Sequence, residues 1–488
     1  MANWDICWPT VRTEFVTRHW PRTTPKFTLS DAGNLVTYRS TSRILFPGEL
    51  TVTTSNRRTF IKTSAAAASA LASVPMFAHA QQNNQTLKVG LIGCGGRGTG
   101  AAEQALLADR DVKLWAVGDA FQDQIDTCLQ SLRGRQAVAP KLDVPRERQF
   151  VGFDAYTQVI NSGVDVVLLC TSPHFRPMHL EAAVRANKHV FCEKPFAVDA
   201  PGVRRVAALA DVARQRRLSV VAGFCWRYYD PMRETVRRIH DGAIGDIQTL
   251  HTNYLTGALW DKPRQPGWSD MEWQMRNWPY FTWLSGDYNV EQHCHSLDKM
   301  MWVMRNTPPL RAYGVGGRQT RTDARFGHIF DHMAVVYEFA NNVRCYAFCR
   351  QQAGTHGEVT DQIIGTRGRA NLLGVSQAGR DWPPYSISGA TNWRLSAAQV
   401  RAATGMYHQE HNELFASIRN SAPINDIEWG AKSTMLAILG RMTCYTGQML
   451  TWDQAWNSTE DLSPRDGYRW DRAPEIPTVS RPGVTRFA

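Results

Sequence analysis

The sequence predicts an α/β fold in which a doubly wound parallel sheet precedes a C-terminal α+β domain with a large, open, mostly antiparallel sheet. Short apolar runs alternate with helix-forming stretches over residues 88–223, an alternation typical of parallel strands joined by helices. Further along, strand-like runs at 246–254, 334–339 and 344–350 include several that alternate apolar with polar residues, as expected of a sheet with one covered face.

The first strand leads into a glycine-rich turn. Val89–Ile92 is apolar, and Gly93, Gly95 and Gly98 follow with the spacing G-x-G-x-x-G. Such a turn lets the backbone approach a pyrophosphate, and the helix that follows directs N–H groups and its positive dipole end at the phosphates. The sequence therefore predicts a dinucleotide site that includes Gly93, Gly95, Gly96, Arg97 and Gly98.

A second strand, Val112–Val117, ends at Asp119, which stands 21 residues after Gly98. At about this distance, dinucleotide-binding folds place an acidic residue on a ribose 2′-hydroxyl. A carboxylate there repels the 2′-phosphate of NADP, so Asp119 predicts NAD as the cofactor and makes NADP less favoured. The alternative is a carboxylate that only ends the strand.

Three more strands are expected at Asp165–Cys170, Lys188–Cys192 and Ser219–Gly223. Polar residues follow the first two of them, at 171–174 and 193–194. Parallel sheets of this kind bind ligands at the carboxyl ends of their strands, so these residues should line the same edge as Gly93 and Asp119. The intervening helices are expected over Thr99–Leu107, Gln122–Leu132, Ala155–Ile160, Met178–Ala186 and Pro201–Arg214.

Charge and cysteine content exclude two other classes of site. The chain of 488 residues carries a net charge of +11, of which five units lie in residues 1–80, and the remaining basic residues are scattered. We therefore expect no nucleic-acid partner. The ten cysteines form no C-x-x-C pair and stand mostly in apolar segments, so neither a disulfide framework nor a zinc site is expected.

Residues 56–80 resemble a twin-arginine (Tat) export signal. The motif N-R-R-T-F-I-K at 56–62 precedes a weakly hydrophobic run, 63–76, and an A-x-A cleavage pattern at 78–80. The resemblance implies export of the folded protein to the periplasm by the Tat machinery; a buried Ala-rich helix is the alternative. Residues 1–55 precede a signal that normally begins a chain, so a mis-assigned start near Leu50 or Val52 is a hypothesis.

The motifs of the parallel-sheet region resemble those of the Gfo/Idh/MocA oxidoreductases. After G-x-G-x-x-G come S-P-H-x-x-x-x-H at 172–179 and K-H-V-F-C-E-K-P at 188–195. Segments 241–247, 412–420 and 429–452 extend the similarity over about Lys88 to Trp456. The resemblance implies a Rossmann domain for NAD and places further cofactor contacts at Ser172, His174, His179, Glu193, Lys194 and Arg227.

The stretch 286–299 carries the candidate catalytic residues. Glu291 and His295 are four apart and would share one face of a helix, with Asp298 about one turn further on. A carboxylate beside a histidine holds its tautomer and suits it as a general base. The family has a D-x-x-x-H pair here, which implies proton transfer by His295, with Glu291 in place of the aspartate. By the same resemblance, Lys194 lies at the reacting carbon and stabilises the developing alkoxide.

Some alternatives remain open at these positions. His293 is a second candidate two residues before His295. A metal site of Glu291, His293 and His295 is conceivable but fits a helix poorly, so no metal is expected. The aromatic segment 260–283 is either core or a wall on which a sugar stacks, and on the second interpretation Trp278 and Tyr280 contact the substrate, together with Lys194, His293 and His295.

The sequence thus predicts an NAD-dependent oxidoreductase that acts on a CH–OH group of a carbohydrate or cyclitol, with a tightly held, recycled cofactor. A glycoside hydrolase that uses NAD transiently and a non-catalytic sugar-binding homologue are the alternatives. The resemblance implies a homodimer or homotetramer. The expected organisation is a leader (1–80), an NAD-binding domain (81–224), a substrate and oligomerisation domain (225–456) and an extended tail that reaches a neighbouring molecule (457–488).

Overall fold

The computed structural model describes residues 85–376 and 383–488, so the predicted leader lies outside the described residues. The first sheet has six parallel strands in the order β3-β2-β1-β4-β5-β6. These strands are β1 (Leu87–Ile92), β2 (Val112–Asp119), β3 (Gln149–Val151), β4 (Val166–Leu169), β5 (His189–Cys192) and β6 (Val220–Ala222). In this order the ligand crevice opens where the succession reverses, between β1 and β4. The predicted doubly wound domain is confirmed.

Helices cover both faces of this sheet. They are α1 (Gly96–Ala108), α2 (Gln122–Arg133), α3 (Ala155–Asn161), α4 (Arg176–Arg185), α5 (Ala200–Ala207) and α6 (Leu209–Gln215). The helix expected over 201–214 is divided at Ala208. Helix α1 begins at Gly96, earlier than expected, because the glycine turn itself supplies its first turn. The N–H groups of that turn have no intrahelical acceptor and face the crevice.

The second sheet has nine strands in the order β14-β13-β12-β11-β7-β10-β9-β8-β15. They are β7 (Ile247–Thr256), β8 (Arg311–Gly317), β9 (His332–Glu338), β10 (Arg344–Gln351), β11 (Glu358–Gly365), β12 (Gly368–Ser376), β13 (Ser386–Gly389), β14 (Trp393–Arg394) and β15 (Leu450–Thr451). Neighbouring strands are antiparallel except β7 and β10. The predicted mostly antiparallel open sheet is confirmed.

The remaining helices lie mainly on the covered face of this sheet or between the two sheets. They are α7 (Asp230–His240), α8 (Asp270–Arg276), α9 (Thr282–Ser285), α10 (Tyr288–Glu291), α11 (Cys294–Val303), α12 (Ala397–Ala402), α13 (Met406–Arg419), α14 (Ile427–Thr446) and α15 (Trp452–Trp456). Helix α14 is buried almost throughout and packs against β8, α11 and α5, so it joins the two sheets into one core. Within the described ranges, no helix combines the length and apolarity needed to cross a bilayer.

The tail after α15 is extended and packs on its own chain. The backbone N–H of Leu462 donates to Asp199 at 3.0 Å, and the side chain of Gln274 donates to the carbonyl of Pro474 at 2.9 Å. Near the end of the chain, the N–H of Gly483 donates to the carbonyl of Thr446 at 2.8 Å. These contacts hold the tail on its own chain, and the expectation that it also reaches a neighbouring molecule stays a prediction.

Candidate active site

The glycine turn has two kinds of glycine. Gly93 has φ +95°, and a Cβ there would lie 2.6 Å from the backbone of Cys170, while a Cβ on Gly98 would overlap the carbonyl oxygen of Gly93. These two positions need glycine for packing. Gly95 and Gly96 line the crevice, and a Cβ on either would meet no protein atom nearer than 4.0 Å. They leave room above the helix N-terminus, which fits a pyrophosphate.

A cavity of about 380 Å³ continues from this turn along the ends of β1, β2 and β4. Asp119 lies in it, and its carboxylate accepts hydrogen bonds from the backbone N–H groups of Cys94 at 2.6 Å and Phe121 at 3.0 Å. Burial raises the pKa of Asp119, although these hydrogen bonds oppose the shift. The predicted residues Ser172 and His179 also line the cavity, and burial lowers the pKa of His179 to about 3.

Aromatic side chains form the remaining walls of the cavity. They are Phe121, Phe153, Tyr156, Phe175, Trp260 and Trp278. The carboxylate at the end of β2 suits a ribose, and the helical N–H groups suit a pyrophosphate. The flat apolar walls suit the adenine of a dinucleotide. The residues present therefore fit NAD, which would lie across the ends of these strands.

Arg97 does not direct its charge at this cavity. Its guanidinium pairs with Glu193 and, at 3.1 Å, with Glu410, and it lies over the ring of Tyr407 with Cζ 4.7 Å from the centroid. The guanidinium is therefore paired with two carboxylates, and the predicted cofactor contact of Arg97 stays a prediction. Glu193 in turn accepts the backbone N–H of Lys194 at 3.1 Å, so this buried network holds the segment that carries Lys194.

Lys194 lies at the carboxyl end of β5, and its ammonium contacts Glu291. The Nζ atom donates to Oε1 of Glu291 at 2.9 Å and also to the backbone carbonyl of the same residue. Burial, the largest single effect, would lower the pKa of Lys194, but the surrounding negative charges, first among them Glu291 with its hydrogen bond, together outweigh burial and raise the pKa. The lysine is therefore a cation at neutral pH, and its side chain retains 12% exposure.

Glu291 and His295 do not share one continuous helix. Helix α10 ends at Glu291, and α11 begins at Cys294, so the backbone changes direction between them. The break points Glu291 at Lys194 instead of along the face of His295. Burial lowers the pKa of His295 well below its usual value, and the nearby charge of Lys194 lowers it further. His295 is neutral, and its Nδ1 is buried without a hydrogen-bond partner.

Arg227 and Asp298 form a buried ion pair. The guanidinium Nε lies 3.0 Å from both carboxylate oxygens, Nη2 lies 2.8 Å from Oδ1, and Ser433 donates to the same oxygen at 2.6 Å. This corrects two predictions. Arg227 is directed at Asp298 instead of at the cofactor cavity, and Asp298 is committed to Arg227 instead of orienting His295.

The structure also relocates the predicted substrate contacts. Tyr280 is fully buried and its hydroxyl donates to the carbonyls of Leu259 and Trp260 at 3.1 and 3.0 Å, so it belongs to the core. The prediction that Tyr280 contacts a sugar is therefore corrected. Trp278 lines the same cavity as Asp119, and its contact with a substrate stays a prediction.

Two predicted histidines have structural partners. His174 lies 2.8 Å from the hydroxyl of Tyr468, and burial lowers its pKa to about 4. It does not line the cavity, and its predicted cofactor contact stays a prediction. His293 is fully buried beside Asn289 at 3.0 Å, and burial lowers its pKa to about 3. Its place behind the helix break does not expose it to a substrate.

Sequence reasoning missed a polar chain beside the catalytic stretch. Gln351 donates to the side chain of Gln292, and Arg321 donates to Gln351 at 2.7 Å. No local sequence motif predicts these contacts, because the residues are far apart in the chain. Across the described parts of the chain, no three His, Cys, Asp or Glu side chains converge as metal ligands would.

Comparison with known proteins agrees with this architecture. Residues 87–222 match the model of the oxidoreductase family with an NAD-binding Rossmann fold, and residues 232–371 match that of the GFO/IDH/MocA C-terminal domain. An inositol 2-dehydrogenase from Pseudomonas savastanoi is 32% identical over 283 residues, which cover 54% of this chain and 75% of that protein. One from Cereibacter sphaeroides is 34% identical over 184 residues, 37% of this chain and only 49% of its own length.

Solved structures share the fold at lower identity. The scyllo-inositol dehydrogenase from Lactobacillus casei, solved with NAD(H) and scyllo-inositol, has a TM-score of 0.55 and 19% identity and covers 76% of this chain and all of its own. The aldose-aldose oxidoreductase from Caulobacter crescentus has a TM-score of 0.56 and 16% identity and covers 75% of this chain and all of its own. Together with the two family matches and the strand-end site, these relationships show that the chain belongs to the Gfo/Idh/MocA family of oxidoreductases, with NAD as its cofactor.

Proposed function

We propose that the protein oxidises a secondary hydroxyl of a cyclitol or a related carbohydrate with NAD. The observation that carries this proposal is a charged Lys194 at the carboxyl end of β5, held by Glu291 at 2.9 Å. The charge of Lys194 also helps to lower the pKa of the neutral, buried His295. The inositol 2-dehydrogenases among its relatives support a polyol as the substrate class.

The two residues have complementary tasks. The ammonium of Lys194 donates a hydrogen bond to the substrate hydroxyl and stabilises negative charge on that oxygen as it develops. The neutral imidazole of His295 accepts the hydroxyl proton, for which a lowered pKa keeps it available. NAD, when bound, supplies the hydride acceptor. Glu291 keeps Lys194 charged and fixes its direction.

The test is a panel of inositols, aldoses and their glycosides incubated with NAD and the purified protein, with reduced nicotinamide followed by absorbance. We expect reduction with one or more cyclitols or aldoses and none with the Lys194→Met or His295→Gln variants. Lys113→Met, at an exposed lysine, is the matched control. Glycoside cleavage without net NADH would favour the NAD-dependent hydrolase, and wild-type turnover equal to that of Lys194→Met would favour a binding protein.

Export and assembly are part of the same proposal. The twin arginines Arg57 and Arg58 support Tat export to the periplasm, where scarce free NAD would favour a retained, recycled cofactor. Replacing both with lysine should leave the protein in the cytoplasmic fraction. Exposed apolar residues Tyr313, Val315 and Phe348 share the outer face of the open sheet and support a homo-oligomer, which Val315→Glu should dissociate in a light-scattering measurement.

A further inference from the structure

The NAD cavity is also lined by residues from outside the parallel-sheet domain. Trp260, Lys262, Met275, Arg276 and Trp278 line the same cavity as Asp119. All of them come from the segment between β7 and α9. In a bare parallel-sheet domain this edge is open to solvent, so this segment, which we call the covering segment (260–278), adds a wall.

Arg276 connects the covering segment to the parallel-sheet domain. Arg276 pairs with both carboxylate oxygens of Asp123 on α2, at 2.9 and 3.0 Å. Its guanidinium also lies over Phe121, with Cζ 3.9 Å from the ring centroid, and Glu272 accepts from its Nε at 2.8 Å. The Arg276 side chain keeps only 13% exposure, whereas that of Asp123 is 56% exposed, so the bridge joins a shielded cation to a carboxylate at the protein surface.

The C-terminal tail supports the wall from behind. The ring of Trp470 packs 4.5 Å from the ring of Phe153 and 5.3 Å from that of Phe121, both of which line the cavity. Tyr468 stacks on Phe153 at 5.6 Å, and its hydroxyl lies 2.8 Å from Nε2 of His174. The tail therefore does not line the cavity itself but holds the aromatic residues that do.

We propose that the covering segment and the tail together form a retaining wall for the adenosine half of NAD, and that the cofactor leaves only when this wall opens. The inference rests on the proposed function for the identity of the ligand alone. Phe121 and the two tryptophans line the cavity, and Arg276 and Trp470 both contact Phe121, so loss of either contact would loosen this wall. Slow release is what a recycled cofactor requires.

The test measures the rate at which the full-length protein releases NADH, by loss of its fluorescence after a chase with excess NAD. Trp470→Ala removes two aromatic pairs, and Arg276→Gln removes the bridge to Asp123; each should speed release roughly five- to ten-fold. Val484→Ala on the exposed part of the tail and Arg264→Gln within the covering segment are matched controls and should stay within about two-fold of the wild type.

Trp470→Phe keeps a ring and should release NADH at an intermediate rate, which gives a second reading if Trp470→Ala unfolds. Circular dichroism checks the fold of each variant. If folded Arg276→Gln and Trp470→Phe release NADH at the wild-type rate, the proposed retaining wall is contradicted. It is also contradicted if the wild type binds no NADH. Faster NADH release in these variants would support the proposed retaining wall. If the wild type then oxidises no polyol, only the proposed substrate class is contradicted.

Discussion

The ammonium of Lys194 lies 2.9 Å from Oε1 of Glu291, across 97 residues of sequence. The contact joins the carboxyl end of a parallel strand to the end of a short helix in the second domain. Glu291 is the largest of the contributions that together overcome the effect of burial and raise the pKa of Lys194. A residue that substitutes for the family's aspartate thus acts on the lysine, at a position where the sequence alone suggested that it acts on the histidine.

Glu291→Gln should therefore shift the alkaline limb of the kcat profile. Catalysis needs the charged lysine, so activity is lost as pH rises through the Lys194 pKa. Without the carboxylate, burial lowers that pKa, and the limb should move to lower pH by about one unit or more. Glu291→Asp keeps the charge and should retain much of the high-pH activity. A limb that stays in place in Glu291→Gln contradicts this role.

His295→Gln should lower kcat/KM by roughly 10²- to 10⁴-fold while NAD affinity stays unchanged. In the wild type we expect no titration of activity near pH 6.5, because burial and Lys194 lower the His295 pKa and keep the base unprotonated. Steady-state kinetics between pH 5 and 8 check both points, with His356→Gln at an exposed histidine as the control. An acid limb centred near pH 6.5 that disappears in His295→Gln would show that the histidine titrates normally.

Gly98→Ala should lower the stability of the protein, whereas Gly96→Ala should weaken NAD binding without a comparable loss of stability. At Gly98 the added Cβ overlaps the carbonyl of Gly93, so we expect the free energy of unfolding to fall by about 2 kcal/mol or more. At Gly96 the Cβ meets no protein atom within 4 Å, so stability should change by less than about 0.5 kcal/mol. Because Gly96 lines the cavity, its variant should still bind NAD about ten-fold more weakly.

Urea denaturation and calorimetric titration with NAD measure these two quantities. Equal losses of stability in the two variants would contradict the division of roles between the glycines.

Arg227→Met should reduce the free energy of unfolding by about 3–5 kcal/mol, because it leaves Asp298 charged and buried without its partner. The double variant Arg227→Met/Asp298→Leu should recover part of this loss. Where the single variant is folded, its Kd for NAD should match the wild type within about three-fold, since Arg227 does not line the cavity. A selective loss of NAD affinity without loss of stability would restore Arg227 as a cofactor ligand.

The parallel-sheet domain was predictable because its signals are local. The apolar runs, the glycine spacing and the position of Asp119 can each be recognised from a few neighbouring residues. Parallel strands place their carboxyl ends at one edge of the sheet regardless of loop conformation. The structure accordingly brings Gly93, Asp119 and Ser172 into one cavity. Element ends were less predictable, as at Ala208, where two short helices replace one.

Several side chains pair with residues far away in the chain that the sequence did not predict as partners. Arg97 pairs with Glu410, Arg227 with Asp298, and His174 with Tyr468. A buried charge or polar ring takes the partner that the fold brings to it, since leaving it unpaired is costly. Residue type and spacing therefore identified reactive side chains but could not say which of them the fold had already paired.

The sequence by itself determined the fold class, the cofactor cradle and the identities of Lys194, Glu291 and His295, because each is encoded in short-range pattern or in a family motif. Only the tertiary structure decided that α10 ends at Glu291 and turns this carboxylate onto Lys194. It likewise decided that the covering segment lines the cavity and that Trp470 of the tail packs on Phe153. The physical reason is that such contacts depend on chain segments up to several hundred residues apart, whose meeting is set by the packing of the whole core.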